Sequence, residues 1–123
     1  MPRDERHTAT IPYGTLGIIP LSSCAKMGEK VDKYLATWRE QREHDNASAL
    51  SFAGYKRDSY ILDAKTPRFG SGEGKGVLND SIRGCDLYIM VDVCNYSIEY
   101  SLCGFKNRMS PDDHYADLKR VIS

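Results

Sequence analysis

The run Leu87-Tyr88-Ile89-Met90-Val91-Asp92-Val93 is nearly continuous in apolar residues and follows a tight polar turn, Asn79-Asp80-Ser81-Ile82-Arg83-Gly84. A strand spanning 85–93 with apolar side chains on both faces has no side to offer to water. It belongs at the centre of a sheet covered above and below, the arrangement of parallel α/β sheets. A second apolar run, Leu16-Gly17-Ile18-Ile19-Pro20-Leu21, is closed by Ser22-Ser23 and reads as a buried strand feeding a capped helix. From residue 25 to about 43 the apolar residues Met27, Val31, Tyr34, Leu35 and Trp38 recur at helical spacing. That spacing predicts an amphipathic helix laid on the sheet, with Trp38 in the core.

The chain has 123 residues, 41% of them hydrophobic, enough for one domain with a modest core. Residues 1–14 carry two prolines and no sustained periodicity and are expected to form a loose arm, so the domain proper spans 15–123. Lys plus Arg and Asp plus Glu both number 17, so no global field draws in nucleic acid or an anionic membrane. Any anion site must be local. No apolar stretch approaches the roughly 20 residues that span a bilayer, and the charged start lacks an apolar leader pattern, so a cytoplasmic protein is expected. Cys24, Cys85, Cys94 and Cys103 show none of the paired spacings of zinc or dithiol motifs.

Further along, Tyr60-Ile61-Leu62-Asp63-Ala64 reads as a strand. Lys75-Gly76-Val77-Leu78 is short and bracketed by turns, so it is expected to pair locally as one arm of a hairpin with 60–69. The stretch 94–104 roughly alternates polar and apolar residues, as an exposed hairpin inserted in a strand-to-helix connection would. Ser110-Pro111-Asp112-Asp113 carries a capping hydroxyl, proline at the first helical position and acidic residues at the positive end of the dipole. Capping explains both carboxylates more simply than a metal or acid/base role with His114. Tyr115, Leu118 and Ile122 follow on one face of that helix. No stop signal precedes Ser123, so the last carbonyls should be uncapped and the chain is expected to be truncated.

Gly70-Ser71-Gly72-Glu73-Gly74-Lys75-Gly76 invites comparison with phosphate loops, but Phe69 stands where a P-loop needs its first glycine and Gly76 where it needs a hydroxyl. The dinucleotide fingerprint fails in both registers. What remains is a glycine-rich connection with an aromatic ring, a carboxylate and the flanking cations Arg68 and Lys75. Phe69 is placed to stack on a purine, Glu73 to accept from its exocyclic amine, and the cations to meet phosphates. Ser81 and Arg83, on the turn before the central strand, form a second candidate phosphate corner.

Taken together, Arg68-Phe69-Gly70-Ser71-Gly72-Glu73 and Asp80-Ser81-Ile82-Arg83-Gly84-Cys85-Asp86-Leu87-Tyr88-Ile89 resemble the N-terminal domain of ribose-phosphate pyrophosphokinases, with Ser71 where that family has Asp or Asn. The form with an excursion over 94–109 is similar to the clostridial-type members. The resemblance implies a partial three-layer phosphoribosyltransferase-like α/β domain with a mainly parallel sheet, a local hairpin and flanking helices. It implies an enzyme that uses magnesium to move the diphosphoryl group of ATP to ribose 5-phosphate, as a cytoplasmic homo-oligomer with no nucleic-acid or membrane partner. By position, Phe69, Ser71 and Glu73 would bind ATP, and Ser81 and Arg83 would hold phosphate at a regulatory site. Catalytic residues and metal ligands would fall outside this piece, leaving it inactive alone. The rival expectation is a non-catalytic regulatory or assembly subunit of such an enzyme.

Overall fold

The computed structural model describes residues 13–45 and 57–123. The expected arm over 1–12 and the segment 46–56 lie outside the described residues. Strand β1 is Thr15–Pro20 and helix α1 Ala25–Asp45; then come β2 (Ala64–Lys65), β3 (Val77–Leu78), β4 (Cys85–Met90), β5 (Glu99–Leu102), β6 (Phe105–Arg108) and helix α2 (Pro111–Ile122). The protein is a mixed α/β structure. Among the described residues no helix is long and apolar enough to cross a membrane.

β1 and β4 pair in parallel, Thr15 opposite Cys85 through Pro20 opposite Met90. On its other side β1 meets 60–62, also in parallel: Ile18 N–H donates to the Tyr60 carbonyl at 2.9 Å and Leu62 N–H to the Ile18 carbonyl at 2.8 Å. β1 is therefore the middle strand, and β4, expected at the centre, is an edge among the described residues. The burial follows this order, with Ile18 and Ile19 at 3% and 1% exposure and Tyr88 on β4 at 65%. Ile19, Leu21 and Leu62 form the core, and Leu78, Ile82, Leu87, Ile89, Leu118 and Val121 pack around it.

The buried faces of both helices overlap the predicted apolar stripes only in part: Val31, Leu35 and Leu118 are half-buried, but the other stripe residues are exposed. Met27, Tyr34 and Trp38 are 57%, 62% and 57% exposed, whereas Gly28 and Asp32 are buried. The reason is local. A Cβ on Gly28 would come 2.4 Å from Pro20 Cβ, so the glycine lets the helix close onto the end of β1. Asp32 then accepts from Tyr60 N–H at 2.6 Å and from the Ser59 hydroxyl at 2.8 Å, tying α1 to the strand beside β1. Those bonds turn the Asp32 face of α1 inward, and on the outer side Tyr34 and Trp38 lie as a tilted ring pair, centres 5.8 Å apart. In α2, His114 and Asp117 are buried while Tyr115 and Ile122 are exposed.

Ser22 and Ser23 do not cap α1. The Ser23 hydroxyl accepts from Asp92 N–H at 2.9 Å, and its carbonyl accepts from the Asn95 side chain at 2.9 Å. His114 Nε2 lies 2.7 Å from the Asn95 carbonyl, so the loop leaving β4 is held from both sides. The excursion is a hairpin between β4 and α2, with Cys103 and Gly104 both at positive φ in its turn. α2 starts as its sequence predicts: the Ser110 hydroxyl accepts from Asp113 N–H at 3.2 Å and the Asp113 carboxylate accepts from Ser110 N–H at 2.9 Å, a capping box. Its end is not bare, since Ser123 donates from its N–H to Lys119 at 3.0 Å and from its hydroxyl to Arg120 at 3.3 Å.

Candidate functional site

Residues 63–79 form one antiparallel hairpin in a continuous register. Asn79 N–H donates to the Asp63 carbonyl, Ala64 faces Leu78, Lys65 faces Val77, Lys75 N–H donates to the Pro67 carbonyl, and Arg68 faces Gly74. At the tip Phe69 N–H donates to the Glu73 carbonyl at 2.8 Å and Gly72 N–H to the Phe69 carbonyl at 2.9 Å. Gly72 has φ +89°, the left-handed residue that closes such a three-residue turn. The local pairing expected for Lys75-Gly76-Val77-Leu78 is present.

Side chains alternate between the two faces of a hairpin, and opposed residues share a face. Here Ala64, Thr66, Arg68, Gly74, Gly76 and Leu78 are half-buried, while Lys65, Pro67, Phe69, Glu73 and Lys75 are exposed. The inner face lies along α2. Thr66 donates to Asp117 at 3.2 Å, Asp117 pairs with Arg120 at 2.6 Å, and Arg68 reaches toward Asp113 at 3.6 Å. A Cβ on Gly74 would fall 2.6 Å from the Arg120 guanidinium carbon, and one on Gly76 would fall 2.5 Å from the Arg120 carbonyl oxygen. These two glycines admit the helix; they do not loosen the loop.

The outer face carries the candidate chemistry. Phe69 and Glu73 stand opposite each other, Phe69 is 53% exposed, and Lys75 follows on the same face. Ser71 is exposed at the turn, its hydroxyl accepting from Glu73 N–H at 3.4 Å. Arg68, expected among the phosphate-binding cations, points the other way and is engaged with Asp113 and the Tyr100 ring, so it is not available to a ligand on the outer face.

Ser81 and Arg83 are exposed on the turn between β3 and β4, where Cys85 N–H donates to the Ile82 carbonyl at 3.1 Å. Asp80 anchors that turn by accepting from Asp63 N–H at 2.7 Å. The strand rise puts this corner about 20 Å along the hairpin from the tip. The structure thus brings Phe69, Ser71 and Glu73 together and leaves Ser81 and Arg83 as a separate corner.

The Asp113 carboxyl sits beneath the tip. Burial pushes it up, but the Ser110 N–H and hydroxyl, the Arg68 guanidinium and neighbouring His114 pull it further down, to a net value below the ordinary carboxylate range. Tyr100, Asp117 and Arg120, which hold the hairpin, were not legible as site residues. The one sequence signal for them is the two-residue spacing of Gly74 and Gly76, which marks a strand face pressed against backbone. Among the described residues no group of three or more His, Cys, Asp or Glu side chains is arranged to hold a metal ion.

Comparison of the chain with protein-family models, with curated proteins and with solved structures gave no match.

Proposed function

We propose that the outer face of the 63–79 hairpin recognises the adenine of ATP, in the N-terminal part of a ribose-phosphate pyrophosphokinase. The observation that carries this reading is the pairing of Phe69 and Glu73 across a turn whose other face is fixed to α2. An exposed ring beside a carboxylate is complementary to a purine, which matches both groups. Its π-face lies on Phe69, its exocyclic amine donates to Glu73, and the Ser71 hydroxyl meets the same edge. Lys75 follows at the distance of the next outward pair, on the side where phosphates would extend.

The reaction on this reading joins the C1 hydroxyl oxygen of ribose 5-phosphate to the β-phosphorus of ATP. The bond from that phosphorus to the α–β bridging oxygen breaks, AMP leaves, and the hydroxyl proton is lost. Such transfers rest on positioning and on neutralising the moving charge, the service magnesium supplies when bound. The described residues do not fit a magnesium site by themselves, so no step of theirs is routed through the ion. Their part is to bind and orient the base. Ser81 and Arg83 would hold phosphate at a regulatory site in a homo-oligomer of three-layer, phosphoribosyltransferase-like domains in the cytoplasm. Acting alone, this chain would bind nucleotide without turning it over.

Calorimetric titration of the chain with ATP tests the reading. Phe69→Ala should weaken ATP by about 1–3 kcal/mol, the range of a base–aromatic stack. Unchanged affinity in that variant, or no binding by the unmutated chain, contradicts it.

A further inference from the structure

Arg68 is next to the proposed stacking ring, yet its side chain leaves the ligand face and is only 10% exposed. Its guanidinium lies 4.1 Å from the centre of the Tyr100 ring, Nη1 donates to the Gly72 carbonyl at 3.2 Å, and Nη2 is 3.6 Å from Asp113 Oδ1. Nη2 is buried without a hydrogen-bond partner. Withdrawing a cation from water is unfavourable, and here the ring's negative face and the carboxylate offset that cost.

The three contacts belong to three different parts of the fold: the hairpin tip, β5 and the first turn of α2. Gly72 is the residue whose positive φ closes the turn, so the bond to its carbonyl fixes how Phe69 and Glu73 face outward. The β5–β6 hairpin touches the same tip twice more. A Cβ on Gly72 would sit 3.4 Å from Leu102 Cδ2, and the Cys103 thiol lies 3.9 Å from the Gly70 carbonyl.

We infer that Arg68 is a positioning residue for the nucleotide face: through Gly72, Tyr100 and Asp113 it holds the tip on which Phe69 and Glu73 face outward, and with it selectivity for ATP over nucleotides whose base lacks an exocyclic amine, without touching the ligand. This rests on the reading of the outer face as a purine site. A stack tolerates a tip that has moved; a hydrogen bond to one edge does not. Loosening the tip therefore costs ATP more than UTP, whose base has no exocyclic amine to donate to Glu73. Lysine keeps the charge but lacks the planar fork that lies on Tyr100 and reaches Gly72.

The test is the ratio of ATP to UTP affinity by calorimetry in the unmutated chain, Arg68→Lys, Arg68→Met, Tyr100→Leu and Phe69→Ala, each checked for its fold by circular dichroism. The ratio should fall about tenfold in both Arg68 variants, within the range of the net contribution of one hydrogen bond. A purely structural role would weaken both nucleotides equally. If Arg68→Met does not fold, Tyr100→Leu removes the ring support alone and should lower the ratio in the same direction. A ratio unchanged in the folded variants while Phe69→Ala weakens ATP overturns the inference and leaves the purine reading standing. Absence of ATP binding by the unmutated chain overturns both.

Discussion

Asp113 serves two partners, closing the capping box of α2 and balancing the Arg68 guanidinium. Its carboxyl is held below its ordinary range, so its protons bind more readily to the unfolded chain than to the folded one. The stability this contributes is present above the unfolded value, about pH 4, and is lost as the pH falls through the lower folded value. Asp113→Asn removes that dependence. In urea denaturation at pH 7 and at pH 3, the unmutated protein should lose more stability between the two than the variant, which should already be weaker at pH 7. Equal losses would mean the carboxylate has no special partner in the folded state. The Ser110–Asp113 cap was legible because its chemistry is local: a hydroxyl, a proline and two acids within four residues need no tertiary context. The orientation of Arg68 was not legible, because which face an alternating residue takes depends on the helix that arrives 45 residues later at Asp113.

At the scale of elements, both helices teach the same lesson. Apolar spacing located α1 and α2 and found part of their buried faces, Val31, Leu35 and Leu118, but missed that Asp32, His114 and Asp117 turn inward to specific hydrogen bonds while Trp38, Tyr34, Tyr115 and Ile122 stay exposed. A hydrophobic pattern weighs area and is blind to a buried carboxylate with two donors waiting. The packing of the glycine-rich arm of the hairpin was not legible for a related reason. Its composition suits a loose anion loop, but Gly74 and Gly76 face the last turns of α2 at distances no side chain could fill. Gly76→Ala should therefore destabilise the fold by about 1–3 kcal/mol, as overpacking against backbone does. Gly70→Ala, with nothing within 4 Å of the added carbon, should cost far less. Urea midpoints of the two variants measure the difference, and equal values would contradict the packed hairpin.

For the molecule as a whole, the strands were legible and their order was not. Leu16-Gly17-Ile18-Ile19 and Leu87-Tyr88-Ile89 both read as strands, but only the pairing of Ile18 with both Tyr88 and Ile61 makes β1 the middle of the sheet. Such pairings join residues far apart in the chain, 70 positions for Ile18 and Tyr88 and 43 for Ile18 and Ile61, and leave no local mark in the sequence. That order matters to the site because the hairpin departs from 60–62 on one side of β1 and returns to β4 on the other, so its base is fixed by the sheet and its inner face by α2. Among the described residues the outer face, with Phe69, Glu73 and Lys75, is left exposed. The most direct measurement is an intermolecular nuclear Overhauser spectrum of the labelled chain with ATP near saturation. Cross-peaks from the adenine protons to the ring of Phe69 are predicted. Adenine cross-peaks confined to residues elsewhere, such as the exposed ring of Trp38 on α1, would contradict the account.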